Sequence, residues 1–520
     1  MSSNYQYNLA LTLQETTLTK LHEFFKLGSD LGSNRPLLFL SAIAGFSLIL
    51  TSAKPAAAAG IIGNGTAGSC TESALTAALV GGGTVSFNCG SSPVTIRVSS
   101  EKLIAANTLI DGQNLVTFDG GGKNRIFKTL GNGIQLTVRN STIANGFTTD
   151  EGGGIYNGYR GKLAVINCKF TNNVSTRGGE FDGGGAIYTQ SESTVFVDKS
   201  TFTGNKAGNG GAINNLLSNL TVTNSTFSGN QSTVSGSGGG GGAIYYDGGN
   251  GDSGKIVLRN NTFTNNTAVF QGGAVFSQLY KNNTSAIENS TFSGNKVTGT
   301  GNQGFGAAIF NSGGASTVLL TVSNSTFTGN MASNQGGAVS NANSARLNII
   351  NSTFSGNRAE SGDGKGGLGG AIMRTNGKIT ITNSTIADNY AGFQGGGIVG
   401  DGNVTLKNTI IANNRANNGG NNWNIKHNCF SAMTNGGNNL QFPANNSNDP
   451  NDPACTSGIT TADPLLGALT NNGGATQTRA LLTGSPAINK GNNNTCPTID
   501  QRGVTRPQGG TCDIGAFEVK

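Results

Sequence analysis

Charge is what this chain has least of. Only 11% of its 520 residues are Asp, Glu, Lys or Arg, and the net charge of +7 is spread thinly, with no basic run and no basic–aromatic stripe. Nothing here resembles an electrostatic footprint for nucleic acid. Histidine is almost missing: there are two, His22 and His427, too few for a Ser-His-Asp constellation or a His-based metal site. The one clear apolar run, Pro36 to Leu50, is 15 residues long and follows Arg35. It falls short of the ~20 residues a spanning helix needs. Ala53 to Ala59 then supply the small residues a signal peptidase accepts, so residues 1–59 read as an export signal with a long front extension. An uncleaved N-terminal anchor is the alternative. Helix formers thin out after residue 80, and strands are left to build the fold.

What is abundant is repetition. In Leu220 to Asn230, Leu220 and Val222 alternate with threonines, the period of a strand with one buried face. Asn224 breaks the run, and Phe227 and Asn230 follow at fixed offsets. This frame recurs ten times, with its Phe or Ile at Ile143, Phe170, Phe202, Phe227, Phe263, Phe292, Phe327, Phe354, Ile386 and Ile411. Its trailing Asn stands at Asn173, Asn205, Asn230, Asn266, Asn295, Asn330, Asn357, Asn389 and Asn414, with Gly146 in the first copy. Between the frames a Gly-Gly-(Ala or Gly)-(Ile or Val) motif ends at Ile155, Ile187, Ile213, Ile244, Val275, Val339, Ile372 and Ile398, with Gly306 to Ile309 as a weaker copy. Successive frames lie 25 to 36 residues apart, so insertions vary while the frame does not.

A unit this short cannot bury its own apolar face. Stacking the units as coils of a parallel β-helix does it, with each strand bonded to its equivalents roughly 4.8 Å above and below. The fold class is therefore all-β. Phe forms an internal column on this reading, and the Gly-Gly pairs mark a corner where backbones pass closely. The trailing Asn is expected to turn the chain with φ > 0 and to hydrogen-bond up the stack as an amide ladder. Asn-Ser-Thr sequons are part of the frame and read as turn chemistry rather than as glycosylation sites. Roughly twelve coils would make a rod of about 55–60 Å.

An open end of such a stack exposes strand edges. Thr71 to Val80 is the one helical pattern, and it reads as the lid of the N-terminal end. The chain then divides into the export signal (1–59), an N-terminal cap with the first coils (60–134), the repeat array (135–415) and a C-terminal region (416–520). Seven cysteines in an exported chain fit three local bridges, Cys70–Cys89, Cys429–Cys455 and Cys496–Cys512, with Cys168 as a lone thiol. Sequence alone does not determine that connectivity.

Two resemblances rest on these motifs. Over residues 140–415 the Gly-Gly-Ala-Ile and Phe-x-x-Asn motifs resemble the repeats of the chlamydial polymorphic outer-membrane proteins. From Cys429 to Glu518 the chain resembles the choice-of-anchor Q domain of bacterial surface proteins. The residues that carry it are Asp463 to Gly467, Gly484 to Ile488, Asp500 to Gly503 and Cys512 to Glu518. These resemblances imply a pectate-lyase-like right-handed β-helix on an exported bacterial surface protein, with an adhesive or otherwise uncharacterised role. Arg479 and Asn489 stand where that C-terminal family carries His and Asp, which counts against catalysis there. The given sequence reaches Lys520 without a translocator barrel, a sorting motif or a second apolar segment, so neither autotransport nor covalent anchoring is expected.

A lyase on this scaffold needs clustered carboxylates with a Lys or Arg base, and a hydrolase needs paired carboxylates on one face. The candidate acids sit in Gly-rich loops, as Glu180 with Asp182, Asp247 with Asp252, and Glu360 with Asp363. They read as solvated turn residues. Gly248 to Asp252 touches the calcium nonapeptide pattern once and out of register; no other cofactor is suggested. Trp423 near His427 could stack on a sugar or serve as a structural lid. Asp500, Arg502, Arg506, Asp513 and Glu518 read as a network pinning the tail to the last coil. The expected protein is thus a non-enzymatic, monomeric, exported surface or extracellular protein. Its expected partners are a polysaccharide or another surface protein, with no nucleic acid. The alternative is a lyase or hydrolase acting on acidic polysaccharide.

Overall fold

The computed structural model describes residues 59–520 except 237, 249–253, 282, 302 and 447–451. Residues 1–58, with His22 and nearly all of the segment read as an export signal, and Asp252 of the calcium-like loop lie outside the described residues. The chain winds into a parallel β-solenoid of about 13 turns. One turn shows the plan. A strand at Ile213–Leu216 is followed by Asn219–Thr223 and Thr226–Ser228, then by Gln231–Ser232, and a loop leads to the next turn at Ile244–Asp247. Stacking these pieces gives three parallel sheets among the described residues. The first has 26 strands and carries the frame, the second has 10 short strands, and the third has 11 and carries the Gly-Gly motif.

Register follows the repeat without slippage, because a shift of one residue would put every apolar side chain in water. Phe170 pairs with Phe202, and the column runs on through Phe227, Phe263, Phe292, Phe327 and Phe354 to Ile386 and Ile411. These rings are fully buried. They stack with centroids 4.4–4.9 Å apart and planes within 2–9° of parallel. Each such contact adds ~0.5–1.5 kcal/mol to the area it buries.

The Asn column corrects one expectation. The trailing residues Asn173, Asn205, Asn230, Asn266, Asn295, Asn330, Asn357, Asn389 and Asn414 keep ordinary backbone angles. The left-handed residues are the frame Asn (Asn224, φ 50) and the residue just before the trailing Asn (Gly229, φ 63; Asn265, φ 54). The reason is geometric. With the corner made one residue earlier, the trailing side chain swings inward under the turn and replaces water for its backbone. Asn266 shows the pattern: its Oδ1 accepts from the Asn230 backbone N–H (3.0 Å) and from Asn230 Nδ2 (2.9 Å). Its own Nδ2 donates to Asn295 Oδ1 (3.0 Å) and to the Phe227 carbonyl (3.0 Å). All four hydrogen-bonding positions of the amide are used. The ladder gains a rung that the motif does not reveal, because Asn414 Nδ2 donates to Asn428 Oδ1 (3.0 Å).

A second polar column runs beside it. The backbone N–H of Ser200 donates to Ser225 Oγ (3.0 Å), and the same bond links Ser290 to Ser325 (3.1 Å). Cys168 occupies this column and donates its N–H to Ser200 Oγ (3.1 Å). Burial pushes its thiol up to about 12, which leaves it inert toward oxidants and electrophiles.

The solenoid extends past the repeat array at both ends. Gly60–Ile62 starts the parallel stacking, and Thr434–Asn435, Leu440–Phe442 and Thr460–Thr461 add pairings after residue 415. Helix α1, Glu72–Leu79, is capped by Thr71, whose side chain accepts from the Ala74 N–H, and it buries Leu75 and Leu79. Cys70 is bridged to Cys89, Cys429 to Cys455 and Cys496 to Cys512.

The C-terminal lobe lies along several coils instead of on the last coil alone, a second correction. Thr326, Thr353 and Thr385, on three successive coils, bond to Gln477 O, Gln501 Oε1 and the Ala516 N–H. The frame amides Asn351, Asn383 and Asn408 donate to Ile499 O, Asp513 O and Thr495 Oγ1. Repetition explains this: equivalent polar side chains recur on each coil, so a segment that fits one coil fits its neighbours.

Candidate functional site

Four successive coils bring charge to one corner, where the second sheet gives way to the third. Glu101 precedes Lys102–Ile104, and Arg125 precedes Phe127–Thr129. Asp150 and Glu151 follow Phe147–Thr148, and Arg177 follows Val174–Ser175. Arg125 is buried. It pairs with Glu101 and, through Nη2, with Asp150 Oδ2 at 3.1 Å, and its Nε donates to the Glu151 carbonyl at 3.0 Å. Arg177 binds Asp150 Oδ1 (2.6 Å), Glu151 Oε1 (3.0 Å) and Asp182 Oδ2 (3.0 Å). On the adjoining face Tyr156 stacks on Tyr188 with centroids 5.3 Å apart. Arg125 and Lys128 lie 5.2 and 5.0 Å from the Tyr156 ring. Beside them a cleft of about 320 Å³ is lined by residues including Lys123, Asn124, Phe147 and Thr149.

The two adjacent carboxyls are driven apart. A hydrogen bond from Glu151, helped by Arg177 and Arg125, holds Asp150 well below the usual carboxylate range. Burial, reinforced by that bond and by the Asp150 charge, pushes Glu151 up to about 7. The Glu151 proton is therefore retained near neutrality in the fold but lost above about 4.5 when the chain is unfolded. Its contribution to stability is full below about 4.5 and is lost as pH rises toward about 7, while Asp150 stays ionised in both states. Urea midpoints should fall between pH 5 and pH 7.5, and Glu151→Gln should flatten that fall. A wild-type midpoint constant over this range would rule out the shared proton.

The carboxyls of this corner are already engaged. Glycoside hydrolysis needs two carboxyls about 5 Å or more apart flanking the scissile bond; here Asp150 Oδ1 and Glu151 Oε1 are both bound to the same Arg177 nitrogen, at 2.6 and 3.0 Å. Both Asp150 oxygens are already on arginines. What remains open to solvent is the half-exposed Arg177 guanidinium and the partly open Tyr156 ring. Sugars are held by such groups.

The acids that stood out in the sequence go to different places. Asp182 joins this corner through Arg177. Glu180 lies against Gly238. Asp247 is buried, accepts from the Tyr280 hydroxyl (2.8 Å), and is pushed up to about 6 by burial. Glu360 pairs with Arg358, and exposed Asp363 accepts from the Lys365 N–H (3.1 Å). Glu101, Arg125, Asp150, Glu151 and Arg177 did not stand out in the sequence, since 76 positions separate the first from the last.

Trp423 is 63% exposed. His427 Nδ1 accepts from the Ala416 N–H (3.2 Å), a structural bond. In the C-terminal cluster Asp500 takes Arg502 Nε (2.9 Å) and the N–H groups of Arg502, Val504 and Glu518. Arg506 Nη1 binds Glu518 Oε2 (3.1 Å) and the Asp513 carbonyl (2.8 Å). Asp513 accepts from the Asn489 and Val519 N–H groups. Every acid there is saturated by the lobe itself. Among the described residues no group of three His, Cys, Asp or Glu is placed to hold a metal, and no helix is long and apolar enough to cross a membrane.

Two family models match the chain. Residues 109–284 match a right-handed beta helix region, and residues 324–342 match the Chlamydia polymorphic membrane protein repeat. No curated protein and no solved structure matches. With the solenoid, these matches point to a surface-associated β-helical protein.

Proposed function

We propose that this protein is exported to the cell surface, where it binds glycan at the Arg125–Glu151–Arg177 corner beside Tyr156 without cleaving it. The observation that carries the reading is Arg177, one nitrogen of which holds both Asp150 Oδ1 (2.6 Å) and Glu151 Oε1 (3.0 Å) while the other Asp150 oxygen sits on Arg125. This arrangement supplies guanidinium donors for sugar hydroxyls and ties up the carboxyls that hydrolysis would need. In this reading the C-terminal lobe is the choice-of-anchor Q-like module, the disulfides suit an extracellular setting, and the protein acts as a monomer in adhesion.

The test is retention of the protein on immobilised pectin, alginate and glycosaminoglycan, with new reducing and unsaturated ends assayed in parallel. Retention that Tyr156→Ala and Arg177→Gln abolish, without turnover, is the expected result. One observation favours catalysis instead: Glu151 keeps a proton near neutral pH and could protonate a leaving group. Turnover lost in Glu151→Gln would establish that second reading and remove the first.

A further inference from the structure

The second sheet shows something that the dispersed basic residues conceal in the sequence. Its ten short strands each present one outward residue in register, from Phe147 to Arg415. Lys206, Lys296, Arg358 and Arg415 stand in this single column, and none of its ten positions holds Asp or Glu. All four are exposed. Arg358 pairs with Glu360 and packs 4.1 Å over the Tyr390 ring. Lys206, Lys296 and Arg415 make no ion pair among the described residues.

Register sets the spacing. Lys206 is three strands from Lys296, which is two from Arg358, which is two from Arg415. At roughly 4.8 Å per strand the cations fall about 14, 10 and 10 Å apart, a line of about 34 Å along the solenoid axis. Exposed Gln231 and half-exposed Thr267 fill the interval between the lysines with neutral donors and acceptors. At its N-terminal end the column reaches Phe147 and Val174, a few residues before Asp150 and Arg177.

We infer that this column is a track for an acidic polysaccharide lying lengthwise on the second sheet and ending at the Arg177 corner; the inference rests on the glycan-binding reading. Sparse cations separated by the uncharged side chains of Gln231, Thr267, Met331 and Tyr390 match a chain of sugars, with hydroxyls and apolar ring faces, that carries intermittent acid groups. A nucleic-acid strand, with a phosphate every ~3.4 Å, would leave most of its charge unmatched.

The test measures affinity of the full protein for polygalacturonate, dextran sulfate, unsulfated dextran and a single-stranded oligonucleotide at low and moderate salt. Binding to one or both acidic polymers but not to dextran is expected, and the pair of polymers separates carboxylate from sulfate recognition. Lys206→Gln with Lys296→Gln should weaken that binding on the order of tenfold at low salt and reduce its salt dependence. Lys162→Gln with Lys378→Gln, exposed lysines of the first sheet, should leave it unchanged. The track is overturned if the second-sheet pair binds like wild type, if the first-sheet pair loses as much, or if no acidic polymer binds. Equal affinity for the oligonucleotide overturns it too. Loss of binding in Tyr156→Ala with the second-sheet pair unaffected would sink the track and keep the corner, and the reverse result would do the opposite.

Discussion

Asn266→Ala should destabilise the solenoid by about 3–5 kcal/mol, although it deletes only one small polar side chain. Four groups lose a bond in a fully buried site: the Asn230 backbone N–H, one N–H of Asn230 Nδ2, the Phe227 carbonyl and Asn295 Oδ1, which keeps its second donor. Each buried orphan costs ~1–3 kcal/mol, and the neighbouring coils cannot close in because their own strands are held in register on both sides. The outward frame residue supplies the comparison. Asn224 is exposed with φ 50, and its hydrogen bonds to Asp198 and from Asn260 are at the surface where water can replace them, so Asn224→Ala should cost mainly the left-handed backbone penalty of about 1–2 kcal/mol. Urea unfolding followed by fluorescence compares the two, and hydrogen exchange at the Asn230 amide reports the local opening. Equal losses in both variants would show that the ladder contributes no more than a turn.

Arg506→Met should release the C-terminal lobe while the coils stay folded. Arg506 and Glu518 are almost wholly buried, at 0% and 1% side-chain exposure, and the guanidinium also holds the Asp513 and Gly515 carbonyls. Removing the cation strands a buried carboxylate whose pKa burial already raises, at a cost of about 3–5 kcal/mol. The lobe bonds to the coils mainly through hydroxyls and amides, so its own fold must be intact for those groups to align. Limited proteolysis should then cut within residues 462–520, leaving a resistant core whose β-sheet circular dichroism matches wild type. Arg97→Met, which breaks an exposed pair with Asp119 at 3.2 Å, should change the pattern little. A lobe as protected in Arg506→Met as in wild type would mean that the coil contacts suffice.

Much of the architecture is legible one residue at a time. Alternating aliphatics, the Phe at its fixed offset and the Gly-Gly corner each obey a local rule, so the stack and its columns can be read off the chain. The trailing Asn was half legible. Its ladder follows from repetition, but its backbone angle depended on where the corner falls, and the neighbour before it takes φ > 0. Asn428 escaped notice because it lies 14 residues after Asn414, outside the frame. The corner cluster escaped because its members sit in insertions of differing length, where offset along the chain no longer indicates position in space.

The repeat alone decided that the chain would stack, which side chains would be inside, and that few catalytic groups were on offer. Those are consequences of period and composition, which act coil by coil. The tertiary structure decided what converges. Winding brings residues one turn apart to within a strand spacing, so Arg125, Asp150 and Arg177 become a single charged corner and Lys206, Lys296, Arg358 and Arg415 a single line. Charges that are isolated along the chain act together only there, because electrostatic and hydrogen-bond energies depend on distance in space.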